Sequence, residues 1–326
     1  MNLQVSSSPH MRDQSETQHI MLDVIIALVP TLLASVYFFG LRSLVVISVT
    51  VGFSVLTEYV CRRLMKRYNS VYDLSAVVTG LLLAFSLPPT IPLWICAIGA
   101  IVAIGVVKQM FGGIGNNFVN PVIAARIVLM VSFPVQMNKW TIINSLDGVI
   151  KNIGDSVSGF DLVTTATPLD LLIKDPAALP SYWQIFIGSR GGCLGEVSVL
   201  ALLIGAGYLI YRKVIKIWIP FAFIGTTILI VAIAGKDPLY HAMSGGLIIG
   251  AFFMATDYVT SPLTNKGKLI YGVGCGLITG LIRLYGGMVE GVSFSILLMN
   301  IITPHIDNFT IPIPFGGGKK REKQKS

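Results

Sequence analysis

The sequence has few charged residues, because Asp, Glu, Lys and Arg together account for 12% of its 326 positions. A soluble domain carries roughly 25% charged residues. Hydrophobic residues account for 53% of the chain, and its mean hydropathy is +0.75. This composition excludes a soluble globular enzyme. A membrane-spanning helix needs about 20 apolar residues, so the chain has room for on the order of ten spans.

Cysteine and histidine are also scarce. The four cysteines form no CxxC pair and lie far apart, so they do not favour a disulfide framework or an iron–sulfur site supplied by this chain alone. The four histidines lack the spacing of a metal site, and we expect no metal centre. The first nineteen residues hold one Arg and two acids where a signal peptide has a basic region, so we do not expect a cleaved signal peptide.

Apolar runs that end at charges, Pro or Gly predict an all-α polytopic membrane protein. The chain divides into a cytoplasmic N-terminal segment (1–19), a first set of five helices (20–135), an outer loop (136–195), a second set of five (196–304) and a basic cytoplasmic tail (305–326). The ten predicted spans are 20–39, 44–60, 74–87, 91–110, 120–135, 195–211, 216–234, 240–256, 268–284 and 288–304.

The distribution of positive charge predicts the orientation of these spans. With a cytoplasmic N-terminus, sixteen of the 24 Lys and Arg residues lie on the inner side, seven on the outer side, and Arg126 within a span. Cytoplasmic loops are enriched in Lys and Arg, so we expect both termini inside and the loop 136–195 outside. The net charge of +8 then reflects topology, and we expect no nucleic-acid partner.

Two pairs of segments suggest an internal repeat. Residues 80–85 resemble 246–252, and residues 108–113 resemble 282–287. An odd number of spans per repeat places the second copy upside down, which gives two inverted five-helix repeats. The third and eighth spans are short, and short helices at matching positions often line an internal site. The alternative is chance similarity among helices rich in Gly and Leu.

The outer loop contains the sequence Asp-Leu-Val-Thr-Thr-Ala-Thr-Pro-Leu-Asp at 161–170. By residue type alone it is a polar loop, in which Thr167-Pro168 starts a turn or a helix. The stretch resembles the site at which membrane flavoproteins of the Rnf and Na⁺-translocating NADH:quinone reductase complexes carry FMN in phosphoester linkage to a threonine. The positions that match the family pattern are Asp161, Thr164, Ala166 and Thr167, while Thr165 stands where Gly is usual.

The resemblance implies that Thr167 carries FMN and that a separate flavin transferase attaches it, using FAD, on the outer side of the membrane. The resemblance extends over nearly the whole chain, including the segments 73–89, 253–257 and 286–300. It is strongest to the RnfD subunits of Rnf complexes. A related subunit, NqrB of the quinone reductase, has a longer N-terminal extension. The implied location is the bacterial inner or plasma membrane.

The implied function is electron transport within an ion-translocating ferredoxin:NAD⁺ oxidoreductase, between its ferredoxin side and its NAD side. The resemblance implies RnfA, RnfB, RnfC, RnfE and RnfG as partners, with electrons arriving from the FMN of RnfG. It also implies a second, non-covalent flavin, such as riboflavin, as an optional cofactor of this subunit. We expect no activity from the chain alone. The alternatives are an NqrB-like quinone reductase subunit and a solute channel or transporter with an inverted repeat.

Several further positions are candidates for binding. Arg190 with Gly191 and Gly192 offers a cation and backbone N–H groups to a phosphate or a ring carbonyl, or forms a plain entry turn. Residues 112–121 break a helix, and we expect them to line a cavity rather than form a simple loop.

Charged residues within spans are candidates as well. Glu58 and Arg126 lie inside spans, where we expect ion pairs or cavity contacts. For the acids at span ends we expect solvated or helix-capping roles; these are Asp23, Asp73, Glu196, Asp257 and Glu290.

Overall fold

Apolar helices make up nearly all of the structure, a computed structural model that describes residues 17–67, 70–142, 163–164, 169, 172, 179–188, 191–286 and 291–312. Within these ranges, the only strands are two-residue segments that pair antiparallel, β1 (Thr141–Ile142) and β2 (Val163–Thr164). The predicted class of helical membrane protein is therefore confirmed, with one short strand pair at the outer loop that the sequence did not predict.

The described residues of the first half form six helices and one 3₁₀ turn. The turn, Val71–Asp73, precedes the third helix, and the fourth helix continues as a π-helical segment, Ile101–Gln109. The helices are α1 (Thr17–Phe39), α2 (Leu41–Leu64), α3 (Ser75–Phe85), α4 (Leu93–Ala100), α5 (Pro121–Ser132) and α6 (Pro134–Met137).

The second half forms seven helices in the described ranges. One of them, α11, continues as a π-helical segment, Gly250–Met254. The helices are α7 (Tyr182–Ile187), α8 (Val199–Tyr211), α9 (Trp218–Ile233), α10 (Pro238–Met243), α11 (Leu247–Ile249), α12 (Asn265–Tyr285) and α13 (Val292–Thr310). The last helix passes through Pro304 and extends beyond the boundary predicted at residue 304.

Three helices among the described residues, α1, α2 and α12, are long and apolar enough to cross a membrane. Five further apolar helices are shorter: α3, the unit Leu93–Gln109, α5, α8 and α9. The first of the long helices begins at Thr17, earlier than the predicted residue 20. Length and composition thus identify a membrane protein with several apolar helices. By this criterion three of the described helices can span a membrane, which is fewer than the ten predicted spans.

Glycines allow two pairs of helices to approach closely, one between the halves of the chain and one within the second half. A Cβ atom on Gly205 of α8 would lie 2.1 Å from the carbonyl oxygen of Ala27 in α1. In the same way, a Cβ on Gly276 of α12 would lie 2.7 Å from the carbonyl oxygen of Phe223 in α9. Small residues at helix contacts are typical of membrane proteins, where close van der Waals packing drives association.

The third and eighth predicted spans are short, as expected. Helix α3 has eleven residues, so at about 1.5 Å per residue it covers roughly half of a bilayer core of about 30 Å. It follows Leu74, whose φ of 61° is left-handed, and α11 follows Gly246, whose φ is 67°. The predicted capping role of Asp73 is confirmed, because its Oδ1 accepts a hydrogen bond from Ser75 N at 2.9 Å.

Candidate functional site

A cavity of about 430 Å³ lies at one end of the helix bundle, where α1, α3 and α5 begin; this end is called the proximal end below. Its size is within the range of about 300–1,000 Å³ that is common for small-molecule sites. Most of its wall is apolar, and its polar lining residues include Thr79, Lys108, Asn117, Asn120, Asp257 and Tyr258. The loop residues Ile114 and Gly115 also line it, which confirms the prediction that residues 112–121 border a cavity.

The amide side chain of Asn120 connects the two halves of the chain beside this cavity. Its Oδ1 caps α5 by accepting a hydrogen bond from Val122 N at 2.9 Å. Its Nδ2 donates to the carbonyl oxygen of Met254 at 3.0 Å, at the end of the π-helical segment that follows α11. Pro121 occupies the first turn of α5, where its missing N–H costs nothing. The cavity therefore has a rigid, hydrogen-bonded wall.

Glu58 and Lys108 form a buried ion pair next to the cavity. Lys108 Nζ lies 3.0 Å from Glu58 Oε2 and 2.5 Å from Ser75 Oγ. Glu58 Oε1 also accepts hydrogen bonds from Gln109 Nε2 at 2.9 Å and from Ser70 Oγ at 2.6 Å. Glu58 has no exposed surface. The ion pair predicted for Glu58 is confirmed, but its partner lies 50 residues away, and no local pattern in the sequence indicates Lys108.

A second buried ion pair lies at the end of α3 farthest from the cavity. Arg126 Nη2 of α5 lies 3.4 Å from Glu196 Oε1 and 3.5 Å from Cys193 Sγ. The prediction of an ion pair for Arg126 is confirmed. The expectation that Glu196 is solvated is wrong, because the segment 191–198 is buried.

The segment 191–198 is buried because it packs onto the C-terminal end of α3. Leu194 N donates to the carbonyl oxygen of Leu87 at 3.0 Å, and Gly195 N donates to that of Phe85 at 2.8 Å. Gly191 and Gly192, which the sequence suggests as phosphate contacts, are buried in the same segment. Arg190 lies outside the described residues.

Most of the predicted FMN attachment site lies outside the described residues, namely Asp161, Ala166 and Thr167. The backbone of Thr164 belongs to β2 and pairs with Thr141. Leu169, two positions after Thr167, is buried, and a Cβ on Gly245 would lie 2.4 Å from its Cδ1. Leu169 therefore packs against the segment that leads into α11.

Buried Arg283 supports the segment that Leu169 contacts. Its Nη1 donates to the carbonyl oxygen of His241 at 2.5 Å, and its Nη2 donates to those of Ser244 and Gly245 at 2.9 and 3.1 Å. These bonds hold the backbone between α10 and α11. Gly245 thus contacts both Leu169 and the cation of α12.

A hydrogen bond ties the end of the outer loop to the start of α10. The hydroxyl of Tyr182 in α7 donates to the carboxylate of Asp237, and this bond raises the pKa of Tyr182 above its usual value. Asp237 also caps α10 by accepting hydrogen bonds from Leu239 N and Tyr240 N at 3.1 and 3.2 Å. The C-terminal part of the loop is therefore tied to the second set of helices.

The fold and the cavity together define a helical membrane protein that can hold a ligand between interrupted helices. Residues 4–316 match the family described as NQR2, RnfD, RnfE, and the chain belongs to this family. The resemblance to RnfD subunits is thereby confirmed.

Three relatives are similar over nearly their full length. The chain is 48% identical to the D subunit of the Na⁺-translocating ferredoxin:NAD⁺ oxidoreductase complex of Acetobacterium woodii, over 100% of this chain and 99% of that protein. It is 44% identical to the D subunit of the proton-translocating ferredoxin:NAD⁺ oxidoreductase complex of Clostridium ljungdahlii, over 96% of each. It is 36% identical to the D subunit of the ion-translocating oxidoreductase complex of Yersinia pseudotuberculosis, over 96% of this chain and 98% of that protein.

Proposed function

We propose that this chain is the RnfD subunit of an ion-translocating ferredoxin:NAD⁺ oxidoreductase and passes electrons through bound flavin. The observation that carries this proposal is the similarity to the corresponding subunit of the A. woodii complex, at 48% identity over the entire chain. The partners are the other subunits of the complex, RnfA, RnfB, RnfC, RnfE and RnfG, and a flavin transferase modifies the chain. The isolated subunit lacks a partner to supply or accept electrons and is inactive.

The first flavin of this proposal is FMN, linked through its phosphate to Thr167. Asp161, Thr164, Ala166 and Thr167 match the family's attachment pattern, and the burial of Leu169 supports an anchored position for the neighbouring chain. A phosphoester leaves the flavin ring unmodified, so the potential of the flavin depends on nearby charge, hydrogen bonds and burial.

Replacing Thr167 with alanine is expected to abolish covalent flavin, because the phosphate acceptor is removed. The measurement is flavin fluorescence of the denatured subunit in a gel, after co-expression with the flavin transferase. Thr165→Ala is the matched control, since it removes the hydroxyl two residues away and leaves the acceptor intact. Fluorescence that persists in Thr167→Ala, or that is missing from the wild-type band, contradicts the covalent site.

The second flavin of this proposal is non-covalent, such as riboflavin, and occupies the cavity at the proximal end. The residues present fit such a group. The apolar walls suit a flat aromatic ring. The amides of Asn117 and Asn120 each have a second N–H besides the one that bonds to Val119 or Met254, and Lys108, whose ammonium binds Glu58 and Ser75, supplies positive charge. A flavin bound there supplies one- or two-electron chemistry.

Filling the cavity tests this second site. Val24 of α1 lines the cavity, so Val24→Trp is expected to remove the non-covalent flavin by occupying its volume. Val29→Trp is the control, because Val29 lies on the same helix, is 43% exposed and does not line the cavity. The purified complex is denatured, and the precipitated protein is removed together with its covalent flavin. The flavin that remains in solution is then measured. Equal release from both variants rules out the cavity as the site.

The membrane arrangement of this proposal has ten spans as two inverted five-helix repeats, with both termini cytoplasmic. The distribution of positive charge supports it, and so do the short helices α3 and α11, which both follow a left-handed residue. Lys108 contacts Ser75 at the start of α3, and Arg283 contacts Gly245 just before α11. Inverted repeats place these two cations toward opposite faces, with Lys108 toward the cytoplasm.

A further inference from the structure

The two residues of the buried ion pair, Glu58 and Lys108, differ in their position relative to the cavity. Lys108 lines the cavity, whereas Glu58 does not and is fully buried behind it. The carboxylate is also held by Ser70 and Gln109, so it cannot rotate toward the cavity without losing these bonds. The cavity therefore has the positive end of a fixed dipole in its wall.

We propose that Lys108 is the cation that tunes the flavin of the cavity toward its reduced form, and that Glu58 is the residue that positions it. This inference rests on the proposed placement of the non-covalent flavin. It assigns a role to two residues of α2 and the π-helical segment that the family resemblance did not single out. Lys108 acts on the bound flavin through its charge in the wall of the cavity, and Glu58 acts through Lys108.

The physical basis is the charge that reduction adds. A flavin held in the cavity would gain one electron from the flavin at Thr167, which would be oxidised in turn. An electron transferred without a proton would add one negative charge to the cavity. Few water molecules or ions can screen this charge in an apolar, partly enclosed site, so a cation in the wall stabilises it strongly. Glu58 opposes the effect less than Lys108 favours it, because Lys108 lines the cavity and Glu58 does not. Asp257, the acid that also lines the cavity, is the same in every variant compared below, so its effect on the flavin cancels in the comparison.

The alternative is that the pair only joins α2, α3 and the π-helical segment. Such a cross-link affects the stability of the protein and leaves the reduction potential unchanged. The reduction potential of the cavity flavin therefore distinguishes an electrostatic role of the pair from a purely structural one, provided that no variant leaves a buried charge without a partner. The double variant Glu58→Gln/Lys108→Gln removes both charges and keeps hydrogen-bonding groups at both positions.

The ion pair of Asp23 and Arg212, which lies near the same end of the bundle, provides the control. Arg212, which follows α8, lies 3.2 Å from Asp23 of α1, and its side chain is 51% exposed. Neither residue lines the cavity. The variant Asp23→Asn/Arg212→Gln makes the same change of charge without altering the wall of the cavity.

The experiment is a redox titration of the detergent-solubilised complex, followed at the flavin absorption band. All variants carry Thr167→Ala, so that this subunit contributes only its non-covalent flavin, and the flavins of other subunits serve as internal references. In Glu58→Gln/Lys108→Gln we expect the ratio of reduced to oxidised cavity flavin at a given potential to fall at least tenfold, which is about 59 mV for one electron. The Asp23→Asn/Arg212→Gln variant should change this ratio less than twofold.

The direction of the change separates the two roles, because loss of a cation lowers the ratio of reduced to oxidised flavin and loss of a structural cross-link leaves it unchanged. If the cavity flavin is retained and Glu58→Gln/Lys108→Gln does not lower the ratio, the inference is wrong and the cavity placement stands. If the parent complex releases no non-covalent flavin on denaturation, the cavity placement itself is wrong, and the inference falls with it.

Discussion

Replacing Glu58 with alanine is expected to destabilise the protein by about 3–5 kcal/mol, the usual cost of leaving one partner of a buried ion pair without the other. Lys108 keeps its bond to Ser75 Oγ but loses the carboxylate that lies 3.0 Å from its Nζ. Water replaces this carboxylate poorly, because Lys108 is itself buried. We expect a large loss of assembled complex and a lower midpoint of thermal unfolding.

The double variant Glu58→Met/Lys108→Met separates the loss of the pair from the loss of one charge. Buried ion pairs are often replaceable by apolar side chains of similar volume at little cost, so most of the stability should return. Asp23→Ala is the control for a pair whose cation reaches water. Asp23 is itself buried, but Arg212 is half exposed and stays solvated when the carboxylate is lost, so we expect a cost of only about 1 kcal/mol. The ion-pair explanation fails if the double variant is no more stable than Glu58→Ala.

Replacing Gly205 with leucine is expected to disrupt the contact between α1 and α8. The Cβ atom alone would lie 2.1 Å from the carbonyl oxygen of Ala27, well inside van der Waals contact, and this oxygen belongs to a helix backbone that cannot turn away. Overpacking in a rigid core costs about 1–3 kcal/mol and occasionally more. We expect the upper end of this range or beyond, because both helices must separate along their length.

The control for this variant lies on the same helix. Gly207 is exposed, and no atom comes within 4 Å of a Cβ placed on it. Gly207→Leu should be neutral or slightly stabilising, since leucine favours the helix more than glycine does. The measurement for both variants is the yield of monodisperse protein and the thermal midpoint in detergent. Equal behaviour of the two variants would show that α1 and α8 do not pack through Gly205.

The class of the protein could be predicted from sequence because it depends on local hydropathy. Runs of apolar residues identify helices in a bilayer whatever their neighbours are. The same holds for the short α3, since Asp73 and the Pro pair at 88–89 bound it in the sequence itself. The one strand pair of the described residues, β1 with β2, was missed because two-residue segments of Thr, Ile and Val carry no distinctive pattern.

The partners of the buried charges could not be predicted, because they depend on how helices pack. Hydropathy indicated that Glu58 needs a partner but gave equal weight to every cation near that side of the membrane. Glu196 shows the opposite error. Its position just before a span suggests contact with water, and the fold of 191–198 onto the end of α3 buries it instead.

The sequence by itself thus determined the membrane class, the interrupted helices, the family and the threonine expected to carry FMN, because each depends on residues close together in the chain. Only the tertiary structure decided which charges pair, where the cavity lies and that Lys108 rather than Glu58 faces it. These features join α2, α3, α5 and the π-helical segments through residues that lie far apart in the sequence, such as Glu58 and Lys108, which are 50 positions apart, and Asn120 and Met254, which are 134 apart. Their contacts arise from packing between helices, and no local pattern of residues encodes them.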